Sequence, residues 1–236
     1  MHAPTRRIAA FSAAVFGCAA LIGTMVGLSA VATTTSETAQ GPIDPDAPVA
    51  AFYGDSYTLG TGASHPSKRW STLISVERGW TEFNPSVNGL GFVNNRASTP
   101  PDYLESDAIP TIVAERPDLV FVTMGLNDNF SMPVRDEAIE NAIRIDLRTL
   151  RAELPSARII VVEPFWYSDE RPDSVRWIID RVQENAAVID ADYLPGASRW
   201  IEGHPEWMAA DGLHPNDDGY AEIARRMDAA LDRLGL

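Results

Sequence analysis

Two short segments at opposite ends of the chain carry residue types that could do chemistry together. Gly54-Asp55-Ser56-Tyr57-Thr58-Leu59-Gly60 directly follows the apolar run Pro48-Val49-Ala50-Ala51-Phe52-Tyr53. A serine on a glycine-flanked turn at a strand's end presents its hydroxyl clear of neighbouring side chains, as an acyl-transfer nucleophile requires. Near the other end, Asp211-Gly212-Leu213-His214-Pro215-Asn216 sets a carboxylate three residues before an imidazole. Ser56 as nucleophile, His214 as base and Asp211 as the group that fixes the histidine tautomer form a candidate triad. Gly-Asp-Ser and Asp-Gly are also common turn compositions. The assignment therefore depends on further pieces falling at the right ends of the right strands.

A tetrahedral intermediate needs preorganised donors for its oxyanion. Asn88-Gly89-Leu90-Gly91 follows the strand candidate at 82–87, and Gly125-Leu126-Asn127-Asp128 follows the apolar run at 118–124. The expected donors are the backbone N–H of Ser56, the backbone N–H of Gly89 and the side-chain amide of Asn127. Gly91 is the alternative to Gly89.

These residues need a frame. Strands are predicted at 48–53, 82–87, 118–124, 158–163 and 186–190. Several are continuous β-branched runs, as parallel strands buried on both faces require. Helices are predicted at 66–78, 103–115, 135–154 and 173–184, followed by a final helix N-capped by Asn216. Asp217 and Asp218 suit the first turn of that last helix. Strand–helix alternation implies a three-layer α/β/α fold around a five-stranded parallel sheet, flavodoxin-like, in the order 2-1-3-4-5. Ligands bind beyond the carboxyl ends of such a sheet, at the switch point between strands 1 and 3. Ser56, Gly89 and Asn127 all follow strands that end there, and the loop bearing Asp211 and His214 can fold back over the same edge.

The blocks Gly-Asp-Ser at Ser56, Asn84-Pro85-Ser86-Val87-Asn88-Gly89, Gly-Leu-Asn-Asp at Asn127 and Asp-Gly-Leu-His-Pro at His214 resemble those of the SGNH (GDSL) hydrolase family of esterases and lipases. The resemblance spans about residues 48–236. It implies the SGNH hydrolase fold and metal-independent hydrolysis of carboxylic esters, with no cofactor. The serine block is not the G-x-S-x-G elbow of α/β-hydrolases. Small-molecule, glycan or lipid esters are the expected substrates, the acyl group is expected to be short, and a carbohydrate acetyl ester is one candidate among them. An O-acyltransferase using the same triad and a non-catalytic surface-binding module of the same fold are the rival readings.

Composition narrows the partners. The chain has 19 basic and 33 acidic residues, a formal net charge of −14. Such a surface repels phosphate backbones and argues against nucleic-acid binding. Residues 1–32 read as a signal peptide or signal anchor: Arg6 and Arg7 precede an uncharged stretch from Ile8 to Ala32 that ends in Ala30-Val31-Ala32. The expected location is secreted or extracytoplasmic, or membrane-anchored by residues 8–32 if uncleaved. Residues 33–47 read as a disordered linker and 48–236 as the hydrolase domain. Cys18, in the leader, is the only cysteine, so the domain itself offers no disulfide and no thiolate metal site. His65 and His204 read as loop residues. Trp166, Tyr167, Trp200 and Trp207 read as cover for the sheet edge, with one or two of them walling a substrate pocket.

Overall fold

Side chains alternate across a strand, and β1 (Val49–Gly54) uses both sides: Ala50 and Phe52 enter one half of the core, Ala51 and Tyr53 the other. In the computed structural model, which describes residues 46–96 and 108–236, β1 is a central strand of five. The others are β2 (Thr81–Phe83), β3 (Leu119–Thr123), β4 (Arg158–Val162) and β5 (Asp192–Leu194). All pairs are parallel and the order is β2-β1-β3-β4-β5. Ala50 to Gly54 pair in register with Leu119 to Thr123, so β1 and β3 end side by side. The switch point therefore lies at Gly54 and Thr123.

The sheet is sandwiched between two helix layers. Helices α2 (Trp70–Arg78) and α6 (Asp217–Arg233) cover one face, where Trp70, Ile74, Tyr220, Ile223 and Met227 meet Phe52, Phe121 and Ile160. Helices α3 (Ile109–Glu115), α4 (Asp136–Glu153) and α5 (Asp173–Val188) cover the other, with Ile112, Ile143, Leu147 and Val182 against Val120, Val122 and Val161. One short helix, α1 (Ser56–Leu59), sits at the end of β1. The Asn216 side chain accepts from Gly219 N at 3.0 Å and caps α6. The expected three-layer fold and strand order hold.

Two strand boundaries differ from expectation. The apolar run at 186–190 is not the fifth strand. Val182, Ala186 and Ile189 are buried at helical spacing, whereas Val188 is 61% exposed, so the run continues the stripe of α5. Asp190, at a φ of 52°, turns the chain. β5 then follows as three residues, its Asp192 held by Arg158 Nε at 2.7 Å. The second strand stops at Phe83 instead of reaching 87. Pro85 cannot donate to a ladder, and Asn84 Nδ2 turns inward to Thr58 O at 2.8 Å and Ser71 Oγ at 2.9 Å. The helix expected over 66–78 also divides, with a 3₁₀ turn at Pro66–Lys68, an extended Arg69, and then α2. The leader 1–32, the linker up to residue 45 and the 103–107 portion of the second predicted helix lie outside the described residues. Among the described residues, no helix is long and apolar enough to cross a membrane.

Candidate active site

The serine is set by a turn that only glycine permits. A Cβ at Gly54 would lie 2.3 Å from Thr123 Oγ1 and 2.5 Å from Thr58 Oγ1. With no side chain there, β1 passes directly into α1, and Thr58 and Thr123 hydroxyls bond at 2.6 Å behind it. Asp55 caps α1, its Oδ1 accepting from Tyr57 N at 3.0 Å. Ser56 thus becomes the first residue of the helix, at the carboxyl end of a central strand. It is 6% exposed.

The histidine arrives on a hairpin between β5 and α6. Met208 and Pro215 form an antiparallel bridge, and Ala209 N donates to His214 O at 2.8 Å. Gly212, at a φ of 65°, makes the tip. Asp211 organises that tip: Oδ1 accepts from Leu213 N at 2.9 Å and from His214 N at 3.0 Å. Its Oδ2 lies 2.7 Å from His214 Nδ1, and His214 Nε2 lies 2.9 Å from Ser56 Oγ. Tyr57 ties the hairpin to the serine turn by donating to Leu213 O at 2.7 Å. Burial holds the Tyr57 hydroxyl well above its ordinary pKa, so it stays a donor. The hydrogen bond from His214, seconded by the two backbone N–H groups, lowers the Asp211 carboxyl to about 2. A carboxylate, an imidazole and a hydroxyl therefore form one hydrogen-bonded chain, with the carboxylate ionised.

The two candidate oxyanion loops are joined by a buried carboxylate. Asp128 Oδ2 accepts from Phe92 N at 2.8 Å, and Oδ1 from Val93 N at 2.8 Å and Asn94 N at 3.3 Å. This clamp fixes the turn that begins at Gly89, whose φ is 72°. Gly91 has another purpose. Its N–H donates to Asn94 O at 2.9 Å, and a Cβ there would sit 2.6 Å from Asp128 Oδ1. Of the two glycines, Gly89 is the one whose N–H is bonded to no described group. Asn127 opens a 3₁₀ turn four residues beyond the end of β3 and is 8% exposed. Its Nδ2 donates to Leu90 O at 2.9 Å and to Asp55 Oδ2 at 3.2 Å. The amide stands at the crevice, but both of its N–H groups have an acceptor, the longer contact being that to Asp55.

Asp55 and Asp128 were not singled out from the sequence. The available signal was a carboxylate adjoining a site residue within an otherwise apolar or amide-bearing block. Burial pushes both up: Asp55 rises from 3.8 to about 7, with Asp128 adding repulsion and the Tyr57 N–H opposing.

The weaker candidates are occupied elsewhere. His65 Nδ1 accepts from Ser67 N and caps a turn, and His204 pairs with Glu206 at 2.7 Å and stacks on Trp207. Asp217 binds Ser64 N and Oγ. Among the described residues, no group of three or more His, Cys, Asp or Glu is placed to hold a metal. Trp166 is buried with its Nε1 donating to Glu170 O at 2.7 Å, and Trp200 packs on Phe165. Of the four aromatics considered, Tyr167 lines a cavity beside the hairpin.

Comparison with known proteins identifies the family and the fold. Residues 52–222 match the GDSL-like Lipase/Acylhydrolase family. The chain is 29% identical over 188 residues to the GDSL lipase Rv0518 of Mycobacterium tuberculosis, covering 75% of this chain and 78% of that protein. Its fold is similar to that of TesA, with a TM-score of 0.62 and 19% identity, covering 79% of this chain and 99% of TesA. It is also similar to a two-domain esterase active on acetylated mannans, with a TM-score of 0.61 and 18% identity, covering 79% of this chain and 49% of that one. The chain belongs to the GDSL-like lipase/acylhydrolase (SGNH) family of carboxylic ester hydrolases.

Proposed function

We propose that this chain is an exported serine esterase that cleaves short-chain carboxylic esters through an acyl-enzyme. The observation that carries the reading is the unbroken chain from Asp211 Oδ2 through His214 to Ser56 Oγ, with links of 2.7 and 2.9 Å. In this reading His214 Nε2 takes the Ser56 proton as Oγ attacks the ester carbonyl, then gives it to the departing alcohol. Asp211 keeps the Nδ1 proton in place and stabilises the imidazolium. Water, deprotonated by His214 in turn, releases the acid. The oxyanion lies between the N–H groups of Ser56 and Gly89, and the Asn127 N–H held at 3.2 Å by Asp55 exchanges that long contact for the oxyanion. Export rests on the leader pattern of residues 1–32. A carbohydrate acetyl ester as substrate is supported by the structural neighbour active on acetylated mannans.

The test is kinetic. Ser56→Ala and His214→Ala should each lower kcat on 4-nitrophenyl acetate by roughly 10⁴–10⁶. The double variant should be little worse, because the members act as a unit. Near-native turnover by folded Ser56→Ala would sink the assignment.

A further inference from the structure

Asp211 and His214 share one hairpin, and the bonds inside it do not set its distance from Ser56. Ala209 N donates to His214 O at 2.8 Å, Gly212 N donates to Ala209 O at 3.0 Å, and the Asp211 carboxylate ties the tip, so the hairpin is rigid in itself. Asn216 Nδ2 closes its base by donating to Glu206 O and Met208 O. Its tip is bare, with Ala210, Asp211 and Gly212 exposed. Among the described residues, two hydrogen bonds join it to the serine turn: His214 Nε2 with Ser56 Oγ at 2.9 Å, and Tyr57 Oη to Leu213 O at 2.7 Å. The first must break and re-form as the proton moves. The second takes no part in proton transfer.

Leu213 O belongs to the peptide unit that enters His214, and peptide units are planar. The N–H of this unit donates to Asp211 Oδ1 at 3.0 Å, and its carbonyl accepts from Tyr57. With both ends held, the plane is fixed, and with it the direction in which the His214 side chain leaves the backbone. Tyr57 is itself rigidly placed. It follows Ser56 in the same helical turn, capped by Asp55, so nucleophile and anchor are consecutive residues of one fixed backbone. Its ring is 1% exposed and stacks on Phe165, with centroids 5.6 Å apart and planes 16° apart. Gly62 gives the hairpin a second support by close approach: a Cβ there would lie 2.4 Å from Pro215 O and 3.1 Å from His214 Cβ. That contact stops the hairpin from moving inward, whereas the Tyr57 hydrogen bond resists movement outward. A leucine or phenylalanine at this place would fill the same apolar site and could not donate.

We propose that Tyr57 is a positioning residue of the reaction: its hydroxyl, acting through the Leu213–His214 peptide, keeps His214 Nε2 within proton-transfer distance of Ser56 Oγ. The inference rests on the esterase reading above and adds to it a residue whose hydroxyl contacts no reacting atom.

Tyr57→Phe tests it, because the ring keeps its stack on Phe165 and its contact with the His214 ring at 6.0 Å. On 4-nitrophenyl acetate kcat should fall about 10–100-fold with KM within about twofold, the scale of loss for a base misplaced by up to about 1 Å. Fluorophosphonate labelling of Ser56 should slow by the same factor. The double variant separates positioning from structure. In a His214→Ala background, Tyr57→Phe should change turnover and labelling by less than about twofold, because the group it positions is gone. Wild-type kcat in Tyr57→Phe, a loss carried by KM, or an equal loss with and without His214 would overturn the proposal. So would a Tyr57→Phe protein that fails to fold by circular dichroism, since the hydroxyl would then hold up the fold and not the base. A wild-type protein that neither turns over esters nor labels at Ser56 would overturn the esterase reading and this inference together.

Discussion

Asp55→Asn separates two roles of one buried carboxylate. When ionised, as it is above about pH 7, its Oδ1 accepts from Tyr57 N and its Oδ2 from Asn127 Nδ2, so both neighbours are donors and the comparison of kcat is made at pH 8. An amide offers one oxygen and one NH₂, and neither orientation satisfies both. The backbone N–H of Tyr57 cannot turn, so the conflict falls on Asn127. If Asn127 rotates, Leu90 O loses its 2.9 Å donor and the crevice loses the amide N–H. Loss of one oxyanion donor should lower kcat by about 10²–10³ with little change in KM. Stability should respond differently. A carboxyl raised from 3.8 to about 7 keeps its proton in the folded state while the unfolded chain has released it. The folded state then binds more protons across that window, so stability falls as pH rises from about 4 to about 7. Between pH 5 and pH 8 the wild type should lose roughly 3 kcal/mol relative to Asp55→Asn, from about two pH units at 1.36 kcal/mol each. Urea unfolding of both proteins at the two pH values, alongside 4-nitrophenyl acetate kinetics, measures each part. Parallel stability profiles together with a wild-type kcat would refute the reasoning.

Asp211 is held near 2 by its bond to His214, so it remains ionised at working pH, and its stabilising contribution is lost as pH falls from 3.8 through about 2. Asp211→Asn should therefore lower kcat by up to about 10⁴ at every pH from about 5 to 9, by favouring the wrong tautomer; an unchanged kcat/KM profile would make Asp211 a turn residue only. Gly91→Ala places a Cβ 2.6 Å from Asp128 Oδ1 and must displace the clamp on residues 92–94. It should cost about 1–3 kcal/mol of stability, and it should lower kcat by about 10-fold or more by shifting the Gly89 N–H. A stable Gly91→Ala protein with wild-type kcat would detach that loop from the oxyanion site.

The central strands were legible because burial on both faces forces continuous apolar runs, and 118–124 and 158–163 enclose β3 and β4. Local composition was a poorer guide at the edges. Ala186 to Asp190 has strand-like residues, yet Ala186 and Ile189 face the core only because the helix before them sets the phase. The Ser56, Asp211 and His214 positions were readable because each lies in a compact block with turn residues beside it. Asp55 and Asp128 were harder to read, since what distinguishes them is burial between loops far apart in sequence. Asp128 grips Phe92 and Val93 some 35 residues away. The choice between Gly89 and Gly91 likewise depended on where Asp128 packs, which local sequence does not encode.

The most direct test of the acyl-enzyme account is active-site labelling. The purified protein is treated with a fluorophosphonate and digested, and the modified peptide is located by mass spectrometry. The account predicts one adduct, on Ser56, formed at least about 10³-fold more slowly in His214→Ala, because the hydroxyl then has no base. A protein that hydrolyses esters while Ser56 stays unmodified, or that labels equally fast without His214, would contradict it.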